Sequence, residues 1–159
     1  MTNHVCFQYY TKLEYIAVTG TDLRTDDGLD TVTCGDGRTG STVDAPSGNF
    51  PTCGTYNYGT GAAYFQLEGA SGDTQVSLLD SDLSFDTQVS VFRQVGDCGD
   101  KDKTQLECVG GNDQYQSYQS LFTIQDADPD EVYVVIVHGW GSSEEGNYTL
   151  SIGCDSEGA

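Results

Sequence analysis

VYVVIVHGWGSSEEGNYTLSIGC, residues 132–154, is the stretch whose reading decides the fold. From Val132 to Val137 the chain is β-branched or aromatic at every position, with apolar side chains on both parities. That is the pattern of a central strand covered on both faces. Residues 147–153 instead alternate, with Tyr148, Leu150 and Ile152 on one side and Thr149 and Ser151 on the other. A strand with one buried face has that period of two. Between the two strands lies HGWGSSEEG, which reads as a hairpin turn whose glycines 139, 141 and 146 permit positive φ. Trp140 in this turn is expected to cap the edge of the structure, with a stacking face for a sugar or a neighbouring subunit as its second reading.

Working outward, the same kinds of pattern recur. AAYFQLEG sets Phe65 and Leu67 on one face, and TQVSLLD pairs Val76 with Leu78. DTQVSVFR places Thr87, Val89 and Val91 opposite Gln88, Ser90 and Phe92, and SLFTI follows. No window carries a convincing period of 3.6 residues. Short strands separated by Gly, Asp, Ser and Thr clusters imply an all-β, antiparallel two-sheet β-sandwich. With 159 residues the chain is one domain long, enough to bury about 70% of its surface. Residues 1–33 read as an N-terminal strand extension, with HVCFQYY and LEYIAV as strands, and residues 34–159 as the sandwich.

A strand ending in HG-x-G supplies oxyanion-hole amides in α/β-type hydrolases, so His138-Gly139-Trp140-Gly141 raises the question of catalysis. No G-x-S-x-G occurs, only 21 residues follow His138, and the alternating helices of that fold are absent from the pattern. Glycosidase chemistry needs two carboxylates across a cleft. Most Asp here adjoin Gly, Ser or Thr, where turn bonding explains them better. No catalytic residue is assigned. DADPDE, with Asp126, Asp128 and Asp130, opens like a calcium loop but lacks the Gly and Glu that should follow, and it reads as an acidic turn. Asp86, Asn112 and Asp113 are better metal candidates, against a simpler reading in which Asp86 caps a strand and Asp113 makes an Asx-turn. No cofactor is required, and calcium is the one that could be accommodated.

The formal charge of −19 excludes nucleic acid as a partner, and no apolar run of 18 residues exists to insert in a membrane. Six cysteines, at 6, 34, 53, 98, 108 and 154, form no C-x-x-C pair and fit three disulfides in an oxidising, extracellular setting. The short separation of Cys98 and Cys108 pairs those two, and leaves Cys6, Cys34, Cys53 and Cys154 in pairings the sequence does not choose. MTNHVCFQYY has neither the basic start nor the apolar run of a signal peptide, so a secreted protein would have its leader outside this chain. Asn147-Tyr148-Thr149 is an N-glycosylation acceptor.

From about Gly40 to Gly153 the chain resembles the bacterial pre-peptidase C-terminal domain and its eukaryotic relatives. The matching pieces are GST at 40–42, CG at 53–54, AYFQLEG at 63–69, SFDTQVSVF at 84–92, GND at 111–113 and YVVIVHGWGSSEEGNYTLSI at 133–152. The first 33 residues depart from the pattern, and so does NDQ, where the family often carries a second Asp. The resemblance implies a jelly-roll-like sandwich, usually appended to secreted enzymes and itself non-catalytic. Some relatives bind calcium, and others fibrous protein or polysaccharide. Their calcium-ligand pattern does not match here and is not carried over.

Two functions follow as expectations, neither of them an enzyme. The first is a secreted structural subunit that assembles into an extracellular fibre or surface appendage, its partners being copies of itself. The N-terminal apolar set Val5, Phe7, Tyr9, Leu13, Tyr15 and Ile16 would then pair with the sheet edge of a neighbour. The alternative is a glycan-, protein- or calcium-binding accessory module of a secreted hydrolase.

Overall fold

The computed structural model describes residues 30–45, 50, 52–56, 60–94, 106–114, 117–141 and 143–155. Nine strands build it: β1 (Asp30–Val32), β2 (Gly37–Ser41), β3 (Ala63–Glu68), β4 (Gly72–Ser77), β5 (Thr87–Gln94), β6 (Leu106–Asn112), β7 (Leu121–Ala127), β8 (Val132–Gly139) and β9 (Asn147–Cys154). No helix occurs among the described residues. The strands form a five-stranded sheet, β1-β3-β8-β5-β6, and a four-stranded sheet, β2-β9-β4-β7. All pairings are antiparallel except β1 with β3. β1 lies before the boundary drawn at residue 33, yet its Val32 is part of the core, so the sandwich includes residues from Asp30 on.

The continuous apolar run of β8 has the cause expected from its pattern. It is the central strand of its sheet, and both faces are covered. Tyr133, Val135 and Val137 point between the sheets, with Phe65, Leu67, Val76, Leu78, Val89, Val91, Leu150 and Ile152. Val134 and Ile136 point the other way and join a second cluster with Phe50, Cys53, Ala62, Tyr64 and Phe92. The five-stranded sheet is therefore buried twice, once by its partner sheet and once by the segment that leads into β3.

Consecutive strands seldom pair. Among the described strands only β5 and β6 are neighbours both in sequence and in a sheet; the other connections cross from one sheet to the other. This corrects the hairpin expected at HGWGSSEEG: β8 and β9 lie in different sheets, so the connection between them is a crossover. Of the three glycines there, only Gly141 has a positive φ, +102°. Gly146 is small for a different reason, since a Cβ would sit 2.8 Å from the Cβ of Phe85.

The disulfides also depart from expectation. Cys108 bonds Cys53, with Cα atoms 5.5 Å apart, and not Cys98. Sequence proximity favoured Cys98, but the face of the sheet decides. Cys108 stands opposite Phe92 in the β5–β6 ladder, and Phe92 and Cys53 share the outer cluster. The bond thus staples the covering segment to the edge strand β6. Cys34–Cys154 joins the turn before β2 to the end of β9. Cys6 and Cys98 lie outside the described residues.

Candidate functional site

Alternation along β5 and β8 sets one column of side chains on the covered outer face. Cross-strand partners in it are Phe92 with Val134, Ser90 with Ile136, and Gln88 with His138. The column passes from apolar to polar toward one end of the sheet, and Asp86 and Trp140 follow at that end, tied by the Trp140 N–H donating to the Asp86 carbonyl at 2.9 Å.

The polar part invites a catalytic reading. His138 Nε2 lies 3.0 Å from Ser90 Oγ and 3.3 Å from Thr55 Oγ1, and the two hydroxyls lie 3.0 Å from each other. A serine beside a histidine is the start of a nucleophile–base pair. Here the pair is sealed inside the fold. Ser90 is fully buried, His138 is 1% exposed, and the Phe50 ring packs edge-on to the imidazole at 4.8 Å. Burial pulls the imidazole down to about 3, so it is neutral at physiological pH. Among the described residues Nδ1 has no partner to fix a tautomer, whereas a working base is oriented by a third group. The amide of Gln88, 1% exposed, likewise has neither atom bonded among the described residues.

The open feature is the cleft just beyond. Ser84, Asp86, Gln114, Tyr118, Trp140 and Glu144 line about 390 Å³. Trp140 and Tyr118 are large aromatic groups left 46% and 50% exposed. The Asp86 N–H donates to Glu144 Oε1 at 3.1 Å, which holds the two acids side by side. Asp86 Oδ1 is buried with no donor among the described residues, and burial, Glu144 and Asp113, in that order, raise its carboxyl above the usual range. Tyr118 is anchored through its carbonyl, which accepts from the Thr87 N–H at 2.8 Å and the Thr87 hydroxyl at 3.2 Å. Such a site can stack a flat or cationic group and accept hydrogen bonds.

Of the metal candidates, Asp86 lies in the cleft, without the capping bond expected of it. Asn112 makes the Asx-turn assigned to Asp113: its Oδ1 accepts from the Gln114 N–H at 2.9 Å and its Nδ2 donates to the Leu121 carbonyl at 3.1 Å. Asp113 contributes charge to Asp86. Among the described residues no three His, Cys, Asp or Glu side chains are grouped to hold a metal ion. Asp126 lies near the end of β7, and Asp128 and Asp130 stand in the turn that follows, where Asp128 Oδ1 accepts from the Asp130 N–H at 2.9 Å. Asn147 is exposed where β9 begins, beside the buried Tyr148. Val5, Phe7, Tyr9, Leu13, Tyr15 and Ile16 lie outside the described residues. Tyr118, Gln114 and Glu144 escaped the sequence reading as site residues. A lone tryptophan between glycines was the available signal.

No family model matches the chain, and no curated protein matches it by sequence. Among solved structures, the pre-peptidase C-terminal domain of a collagenase from Bacillus anthracis superposes with a TM-score of 0.50 at 14% identity, over 78% of this chain and 93% of that one. The fold is that of a pre-peptidase C-terminal domain. Weaker likenesses are a surface-associated copper-binding protein of Methylomicrobium album (TM-score 0.49, 6% identity, 79% and 98% covered) and a periplasmic inhibitor of g-type lysozyme from Aeromonas hydrophila (0.42, 17%, 79% and 96%).

Proposed function

We propose that this chain is a non-catalytic, extracellular β-sandwich that works by recognition, the alternative reading of its sequence, through the cleft at Trp140. The observation that carries this is the juxtaposition of two half-exposed aromatic rings with Asp86 and Glu144 at one end of a rigid sheet. Aromatic residues cost little entropy to immobilise and dominate recognition surfaces. The sealed neutral His138 supports the absence of catalysis, and two disulfides support an oxidising compartment. The test is calorimetric titration of the chain with chitin and cellulose oligosaccharides and with basic and neutral peptides. A ligand whose binding is abolished in Trp140→Ala and Tyr118→Ala supports the reading. Binding of every ligand unchanged in both variants overturns it.

The fibre reading is kept for one specific feature. In the four-stranded sheet β2 and β7 each pair with a single strand among the described residues, so each offers an edge to which a strand can add. Deletion of residues 1–18 followed by electron microscopy tests it. Loss of fibres from a chain that stays folded supports strand addition; fibres that persist refute it.

A further inference from the structure

Resting on the recognition reading, we infer that the Trp140 cleft takes the cationic side chain, arginine foremost, of a protein partner. Three observations converge. Asp86 and Glu144 line one cavity, joined by the Asp86 backbone N–H donating to the Glu144 carboxylate, with Asp113 close enough to act on Asp86 electrostatically. Among the described residues no basic side chain is paired with them. The two basic side chains among the described residues are engaged elsewhere, Arg38 with Asp30 at 2.7 Å and Arg93 with Glu107 and, at 3.9 Å, Glu131. His138, behind the cleft, is neutral. Finally, Asp86 Oδ1 is buried and has no donor among the described residues. A ligand that brings positive charge into the cleft compensates Asp86 and Glu144 without having to reach that sealed oxygen.

The aromatic rings select among donors. Trp140 and Tyr118 are each about half exposed and line the cleft together with Asp86 and Glu144. Indole and phenol faces attract a guanidinium or ammonium, and the planar guanidinium both stacks and offers paired donors to carboxylates. A neutral sugar would use the rings and the acceptors but would leave the charge of Asp86, Glu144 and Asp113 uncompensated. A net charge of −19 also steers basic partners toward the chain.

The chain has one tryptophan, Trp140, so indole emission, excited selectively over the ten tyrosines, reports the cleft alone. The full chain is titrated with acetyl-Gly-Arg-Gly-amide, acetyl-Gly-Gln-Gly-amide and chitotriose. The arginine peptide is expected to change the emission saturably, with the glutamine peptide at least tenfold weaker. Asp86→Asn and Glu144→Gln, checked for unchanged circular dichroism, should each weaken the arginine peptide at least fivefold and flatten its salt dependence. Should either variant fail to fold, Tyr118→Ala replaces it with the same expected loss. A response to chitotriose but not to the arginine peptide overturns the cation assignment and leaves recognition standing. Arginine binding indifferent to all the variants also overturns the assignment. No response to any probe rejects the cleft as a recognition site altogether.

Discussion

Acid should destabilise this protein through His138, by an amount the structure sets. Burial lowers the folded value to about 3, against 6.5 in the unfolded chain. A base whose folded value is depressed binds fewer protons folded than unfolded below the unfolded value. Its contribution to stability is therefore complete above pH 6.5 and is lost as pH falls toward 3. At about 1.4 kcal/mol per unit of difference, the full loss is about 5 kcal/mol, of which about 2.5 kcal/mol falls between pH 7 and 4.5. The 25 acidic residues respond oppositely, since protonation relieves their mutual repulsion, so a single pH series is not diagnostic. The His138→Leu variant isolates the effect. Ser90 and Thr55 keep their mutual hydrogen bond in it, and any fixed packing cost cancels between pH values. Urea unfolding of both proteins at pH 7 and 4.5 should show the wild type losing about 2.5 kcal/mol more than the variant. Equal losses, or a His138 imidazole titrating near 6.5 by NMR, would refute the burial argument.

Three further outcomes follow from the same geometry. Replacing Cys53 and Cys108 together by Ser opens a bridge of sequence separation 55 and should lower unfolding stability by about 4 kcal/mol in urea; unreduced peptide maps should link Cys53 with Cys108 and Cys34 with Cys154. The Asp86 carboxyl is raised in the fold, so its ionised form costs stability as pH rises through that value. Asp86→Asn should therefore raise the melting temperature at pH 7, leave it unchanged near pH 3, and weaken ligand binding. Calcium, if bound, should be weak and unnecessary for folding, so a chelator should leave the thermal melt where it was; a large fall would contradict this.

Strand identity and inward faces were legible because burial writes a period into the residues. The two-sided apolar run of β8, the alternation of β9 and the split of β5 into Val89 and Val91 against Ser90 and Phe92 all correspond to faces that are buried differently. Which sheet each strand joins was not legible, because a period of two is the same in either sheet. The hairpin expected after β8 failed for that reason. β1 escaped notice because a three-residue strand is too short to show a period. The Cys53–Cys108 bridge depends on which face of β6 the covering segment crosses, a tertiary fact. Within the cleft, Asp86 and Trp140 were singled out because local sequence marks them. Tyr118 and Gln114 reach it only because Thr87, at the start of β5, holds the Tyr118 carbonyl.

The measurement that tests the central claim most directly is an amide and indole ¹H–¹⁵N correlation series on the labelled chain, titrated with the arginine peptide. Shifts are expected to concentrate at the Trp140 indole and the amides of Ser84, Asp86, Gln114, Tyr118 and Glu144, with the edges β2 and β7 unmoved. Shifts centred on those edges, or on the shallow polar cavity beside Asp73 and Asp155 on the four-stranded sheet, would contradict it.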